Sequence, residues 1–131
     1  MWLIFSYALR HTKKTITICR KTYPALRTSA MRDFIEILRA YDLYDERAHN
    51  KSSGEYRLND NVVEFISLDA PQKVRGRKRD ILFINEANEL HWEDWQQLVF
   101  RTSGRIILDY NPSDEFHWIY EKVKTRTDAD F

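Results

Sequence analysis

The residues with the clearest chemical potential lie in one stretch, Asp80-Ile81-Leu82-Phe83-Ile84-Asn85-Glu86-Ala87-Asn88-Glu89. Ile81 to Ile84 is an unbroken apolar run between polar flanks, which suits a strand buried on both faces of a parallel sheet. The run then breaks into amides and carboxylates. Polar groups just past the carboxyl end of a central strand sit where open α/β sheets bind ligands. A carboxylate delivered there, Glu86, is what nucleotide hydrolases use to activate an attacking water, with positioning and charge stabilisation carrying the catalysis. The same pattern fits a purely structural glutamate, and the run alone does not separate the two.

A nucleotide hydrolase of this kind also needs a glycine-rich loop, followed by Lys and Ser or Thr, to hold the phosphates. The only glycines are Gly54, Gly76 and Gly104, and none is followed by Lys-Ser or Lys-Thr. Other chemistry is weaker. Glu86, Glu89 and Asp109 could act as metal ligands of a nuclease, although they share no obvious facing pattern. His11, His49, His91, His117 and the lone Cys19 lack the spacing of a zinc site. Lys73, Arg75, Arg77, Lys78 and Arg79 form either a solvated basic loop or a contact for phosphates or DNA.

These groups need elements to position them. Trp2 to Leu9 is apolar but far short of the roughly 20 residues that span a bilayer, and it lacks the flanks of a signal peptide. It predicts a buried helix closed by Arg10, His11, Lys13 and Lys14. Nothing before Trp2 can cap it, as if the first element of a domain had been cut away. Thr15 to Arg20 predicts a strand. Thr22 and Pro24 then open a long amphipathic helix that carries Leu26, Ala30, Phe34, Ile37, Leu38 and Tyr41 on one face and ends near Asp42.

His49 to Gly54 reads as a loop. Glu55 to Asn59 and Val62 to Leu68 form a hairpin turned by Asn59-Asp60-Asn61. A basic connection, Ala70 to Arg79, leads to the Asp80 strand. A helix over His91 to Arg101 follows, with Trp92, Trp95, Leu98 and Val99 on one face, and then a buried strand over Arg105 to Asp109. Asn111-Pro112 is a turn, and Phe116 to Val123 a last helix capped by Ser113 or Asp114. The four tryptophans, Trp2, Trp92, Trp95 and Trp118, lie on apolar helical faces and are expected in the core. The fold class is α/β, a mostly parallel sheet flanked by helices.

The chain has 131 residues, 43% of them hydrophobic and 31% charged, which fits one globular domain rather than a disordered chain. Its net charge of +1 leaves any binding of nucleic acid or membrane to a local patch. A single cysteine excludes an internal disulfide and suits a reducing compartment.

Four segments in order carry a more specific signal: Arg20-Lys21-Thr22-Tyr23-Pro24-Ala25-Leu26-Arg27-Thr28-Ser29, Val74-Arg75-Gly76, Phe83-Ile84-Asn85-Glu86-Ala87-Asn88-Glu89, and Asn111-Pro112 followed by His117-Trp118. Together they resemble the large subunit of a tailed-phage terminase over nearly the whole chain. The resemblance implies a RecA-like P-loop NTPase core, incomplete at the N-terminus. Residues 1–131 would be a partial ATPase domain without the P-loop and without the nuclease domain.

By that resemblance Glu86 is the water-activating glutamate ending the Walker B strand. Asn85 stands where the family has the Asp that supports Mg²⁺. Arg20 and Arg27 match positions near the nucleotide. Asn111 matches the coupling motif that senses the γ-phosphate, although without the resemblance an ordinary Asn-Pro turn is the preferred reading. Arg75 matches a trans-acting arginine finger, a role worth about 10³ to 10⁵ in rate.

ATP and Mg²⁺ are the implied cofactors. Double-stranded DNA, the terminase small subunit and the portal are the implied partners, with a homo-oligomeric ring in the full protein and no membrane. The implied location is the cytoplasm of the bacterial host. Such a fragment is expected to be inactive alone. The alternative is a non-catalytic module derived from that fold, binding DNA or protein through the Lys73 to Arg79 loop.

Overall fold

The computed structural model describes residues 1–70 and 78–110. The expectations at Arg75, at Asn111-Pro112, at Trp118 and for the helix over Phe116 to Val123 lie outside those residues.

The elements are α1 (Trp2–Arg10), β1 (Thr15–Arg20), a helix built of α2 (Tyr23–Leu26), a π segment (Arg27–Met31) and α3 (Arg32–Ala40), then β2 (His49–Asn50), β3 (Glu55–Leu58), β4 (Asn61–Ser67), β5 (Arg79–Ile84), a 3-10 turn (Ala87–Glu89), α4 (Trp92–Phe100) and β6 (Thr102–Leu108). The sheet order is β2-β3-β4-β1-β5-β6. β4, β1, β5 and β6 run parallel, and β2 and β3 form an antiparallel edge.

β1 and β5 are covered on both faces, which is why Ile81 to Ile84 carries no polar alternation. Ile16, Ile18, Val63, Phe65, Ile81 and Phe83 face a core shared with Ile4, Phe5, Leu26, Phe34 and Leu38. Cys19, Ile66, Leu82 and Ile84 face a second core with Leu90, Trp95 and Leu98. The sheet is therefore the middle of three layers. At about 25 cal/mol per Å² of apolar area, these two interfaces are the main stabilising force.

The hairpin turn does more than reverse the chain. Asn59 and Asp60 sit at φ 52° and 64°, the left-handed pair that matches the twist of a two-residue hairpin. Asn59 Nδ2 donates to the carbonyls of Ala8, Leu9 and His11, each at 3.1 Å. Buried Asn61 Nδ2 donates to Ala8 O at 2.9 Å and His11 O at 2.8 Å, while its Oδ1 accepts from Lys14 N at 3.0 Å. Two hairpin amides thus satisfy carbonyls that the end of α1 leaves without helical partners.

Several expectations change. α1 is not buried all round: Ile4, Phe5 and Ala8 face inward, while Trp2 is 57% exposed, so this tryptophan is not a core residue. Tyr41 lies past the end of α3 and is exposed, its ring 5.4 Å from Phe5 and 5.7 Å from Trp2. The long helix contains a π segment rather than α geometry throughout. Thr22 holds the N-cap position without a side-chain bond, and Asp69 Oδ2 accepts from Tyr23 N instead, at 3.1 Å. The loop from His49 begins with the short strand β2.

Arg79 belongs to β5 and is fully buried, with Nη1 donating to Leu98 O at 3.2 Å, so it is not part of an exposed basic loop. Burial pushes its guanidinium below its ordinary pKa, with the Glu64 carboxylate acting in the opposite sense. β6 begins at Thr102 and is exposed over Ser103 to Arg105 rather than buried.

Gly104 lies where β6 carries one extra residue against β5, with Arg79 opposite Thr102 and Ile81 opposite Arg105. A Cβ there would stand 2.0 Å from Asp80 O, so only glycine fits.

Candidate functional site

The parallel strands end together, and the polar residues that follow them meet at one edge. β1 contributes Arg20 and Lys21, β5 contributes Asn85 and Glu86, and β6 contributes Asp109. The chain reaches strands on both sides of β1, the kind of reversal that opens a ligand crevice at the carboxyl ends of α/β sheets.

A continuous hydrogen-bonded line crosses this edge. Arg20 Nε donates to Glu89 Oε1 at 3.1 Å, and Arg20 Nη1 donates to Ser29 Oγ at 2.8 Å. Ser29 Oγ lies 2.6 Å from Ala25 O and 3.1 Å from Asn85 Oδ1, and its one hydrogen is shared between these two acceptors. Asn85 Nδ2 donates to Asp109 Oδ2 at 2.9 Å.

The backbone holds the line in place. Asn85 N donates to Cys19 O at 2.8 Å, Asp109 N to Ile84 O at 3.0 Å, and Ala87 N to Asp109 O at 2.7 Å. Lys21 Nζ adds a bond to Glu89 O at 3.0 Å.

The π segment supplies Ser29. Thr28 Oγ1 donates to Pro24 O at 3.0 Å and Ser29 Oγ to Ala25 O, so two hydroxyls compete with backbone N–H groups for carbonyls of the preceding turn. Wider turns of this type are frequent at functional sites.

Glu86 is set apart from the line. It occupies the left-handed region at φ 54°, ψ 55°, where it ends β5 and starts the 3-10 turn. For a non-glycine residue this backbone is uncommon and is held by its surroundings. Those surroundings are the Ala87 and Asn85 backbone bonds and the grip of Arg20 and Lys21 on Glu89. Among the described residues the half-buried Glu86 carboxylate makes no hydrogen bond or ion pair.

Of the residues singled out in the sequence, Arg20, Asn85 and Glu86 come together at this edge, and Arg27 is exposed at the start of the π segment. Arg75 and Asn111 lie outside the described residues. Ser29 and the pairing of Asp109 with Asn85 were missed. For Asp109 a signal existed: it is the polar residue directly after the next strand, as Asn85 is after β5. Among the described residues no three His, Cys, Asp or Glu side chains are grouped to hold a metal, so Glu86, Glu89 and Asp109 do not form a nuclease cluster.

Nor does any helix among them have the length and apolarity to cross a membrane. The donor set at the edge does fit a magnesium nucleotide in kind. It offers hard carboxylate oxygens from Glu86 and Asp109 on the same edge as the cations Arg20 and Lys21.

A mostly parallel sheet layered between helices, with charged groups collected at its carboxyl edge, is an arrangement in which open α/β sheets bind ligands. Comparison with known proteins narrows this. Residues 3–130 match the family model of the phage terminase large subunit, and the chain belongs to that family.

Among solved structures, the large terminase of a thermophilic bacteriophage is similar with a TM-score of 0.73 at 15% identity, over 91% of this chain and 32% of that one. The same terminase in complex with ADP gives 0.69 at 15% identity, over 92% and 32%. In complex with ATP-γ-S it gives 0.64 at 12% identity, over 92% and 30%. These likenesses show that the chain shares its fold with part of that terminase. A search of curated proteins finds no match. The chain spans about a third of the length of the thermophilic phage terminase.

Proposed function

We propose that residues 1–131 are part of the ATPase motor of a terminase large subunit, which drives viral DNA into procapsids, and that Glu86 activates the attacking water. The observation that carries this is the Glu86 carboxylate. It is fixed by a left-handed backbone at the end of a central strand and has no partner among the described residues, while Arg20, Ser29, Asn85, Glu89 and Asp109 around it are bonded to one another. A general base must be free to accept a proton and held in position.

ATP supplies the phosphoryl group, and Mg²⁺ the charge that neutralises it, when they are bound. Arg20 brings positive charge to the phosphate side while holding the turn that carries Glu86. Arg27, exposed on the π segment, contacts the nucleotide by family resemblance. By family resemblance Asn111 senses the γ-phosphate and Arg75 reaches a neighbouring subunit's nucleotide in a homo-oligomeric ring. The same resemblance gives double-stranded DNA, the small subunit and the portal as partners, in the cytoplasm of the bacterial host.

No glycine-rich phosphate loop occurs in this sequence, so the chain alone is expected to hold ATP weakly and to hydrolyse it at the background rate. Two measurements test the reading. Millimolar Mg·ATP added to the isotopically labelled chain should shift the amide resonances of Arg20, Arg27 and Glu86; unchanged resonances would remove the edge as a nucleotide site. ATP turnover well above background, abolished by Glu86→Gln, would overturn the inactivity of the chain alone.

A further inference from the structure

The residue before Glu86 is an amide, and an amide brings no charge to a cation. The neighbouring strand does. Asn85 Nδ2 points at Asp109 Oδ2, 2.9 Å away. That contact fixes the amide orientation, because a carboxylate only accepts and must face the NH₂ group. Asn85 Oδ1 is thereby turned toward Ser29 Oγ.

Asp109 is equally constrained. Ile84 and Leu108 are paired in the β5–β6 register, so the next residues, Asn85 and Asp109, stand side by side. The Asp109 backbone is bonded on both sides, to Ile84 O and from Ala87 N. Asp109 is exposed, and Oδ1 makes no hydrogen bond among the described residues.

We propose that Asp109 supplies the anionic oxygen for the divalent cation of a magnesium nucleotide, and that Asn85 is the positioning residue that holds it. The proposal rests on reading this edge as the nucleotide site. Magnesium is bound through hard oxygens, one or two carboxylates with phosphates and water. At residue 85 the oxygen is engaged and the nitrogen is turned toward Asp109, so the charge comes from β6 instead of β5. The carboxylate has changed strands while staying at one place on the edge.

The arrangement predicts an exchange. An aspartate at both positions would put two carboxylates in hydrogen-bonding contact, and one would resist ionisation. An aspartate at 85 with an amide at 109 restores one charge and one amide donor.

The test uses Mn²⁺ alone as the probe, titrated into the isotopically labelled chain and into Asp109→Asn, Asn85→Asp and Asn85→Asp/Asp109→Asn. Paramagnetic broadening of backbone amides is read, and folding is checked from the dispersion of the same spectra. In the unaltered chain broadening should centre on Asn85, Ala87 and Asp109. It should require about tenfold more Mn²⁺ in Asp109→Asn, as expected for loss of a charged ligand, and return in the double variant. Undiminished broadening in Asp109→Asn, a folded double variant that does not regain it, or no broadening at this edge would each overturn the proposal. If Mn²⁺ fails to localise while Mg·ATP still shifts Arg20 and Arg27, only the metal assignment falls. If neither happens, the nucleotide reading falls with it.

Discussion

Arg20, the last residue of β1, is bonded at 3.1 Å to Glu89, which lies 69 positions later in the turn after β5. The ion pair ties the end of β1 to the 3-10 turn that Glu86 begins. Its two side chains are 18% and 36% exposed, and the guanidinium also holds Ser29.

Arg20→Ala leaves Ser29 and Glu89 without their charged donor, and should lower unfolding stability by about 1–3 kcal/mol. Glu89→Gln keeps an acceptor for Arg20, and should cost under about 1 kcal/mol, as for other partly solvated pairs. Urea unfolding of both variants checks the order. Equal losses would mean that Ser29 contributes nothing to holding Arg20.

Gly104→Ala brings a Cβ to 2.0 Å from Asp80 O, a strand carbonyl with little freedom to move. The Asp80 side chain accepts from Thr15 N at 2.8 Å, so a displaced Asp80 also loosens the start of β1. A loss of about 2–3 kcal/mol is expected, as for overpacking in a rigid site. Gly54→Ala, at φ 72° but 3.1 Å from Phe65 O, should cost about 1 kcal/mol. Thermal denaturation of the two variants separates the effects.

His49 Nδ1 lies 2.8 Å from Tyr44 Oη, and burial, then Lys51 and Arg39, lower the histidine pKa below its ordinary 6.5. The unfolded chain therefore takes up the proton more readily. The contribution to stability is complete above pH 6.5 and is lost as the pH falls through the lower, folded value. His49→Gln keeps a polar side chain but removes the titration, so the slope of stability against pH just below 6.5 should flatten. An unchanged slope in that variant would assign the pH dependence to other groups.

Burial pushes the Cys19 thiol up to about 12 from its ordinary 9.0, so almost no thiolate exists near neutral pH. The thiolate is the reactive form. A disulfide reagent at pH 8 should label the folded chain very slowly, and labelling should follow the urea-unfolding curve. Fast stoichiometric labelling with the fold intact would contradict the burial.

Much of the fold was legible because covered strands and amphipathic helices leave periodic apolar patterns. β1, the β3–β4 hairpin and β5 lie close to where their apolar runs placed them, and the parallel arrangement followed from their alternation with helices. What escaped depends on partners distant in sequence. Nothing beside Thr22 indicates that Asp69 will take over its capping bond. Arg79 reads as one more basic loop residue until Leu98 O is found against it in the second core. At the site, Glu86 and Asn85 were visible as the end of a strand. The link from Asn85 to Asp109 depends on the β5–β6 register, which a single chain does not print.

Leu26, Ala30, Phe34 and Leu38, all buried, recur at steps of four. At 3.6 residues per turn each such step advances about 40°, so an unbroken α-helix would rotate Leu38 about 120° away from Leu26. One wide turn absorbs an extra residue, about 100° of rotation. The π segment thus corrects the helix's phase, keeping Phe34 and Leu38 on the sheet while Ser29 faces Arg20. Shortening the segment by one residue would set the two halves of the helix turning against each other, so that the core and the site could no longer be satisfied at once.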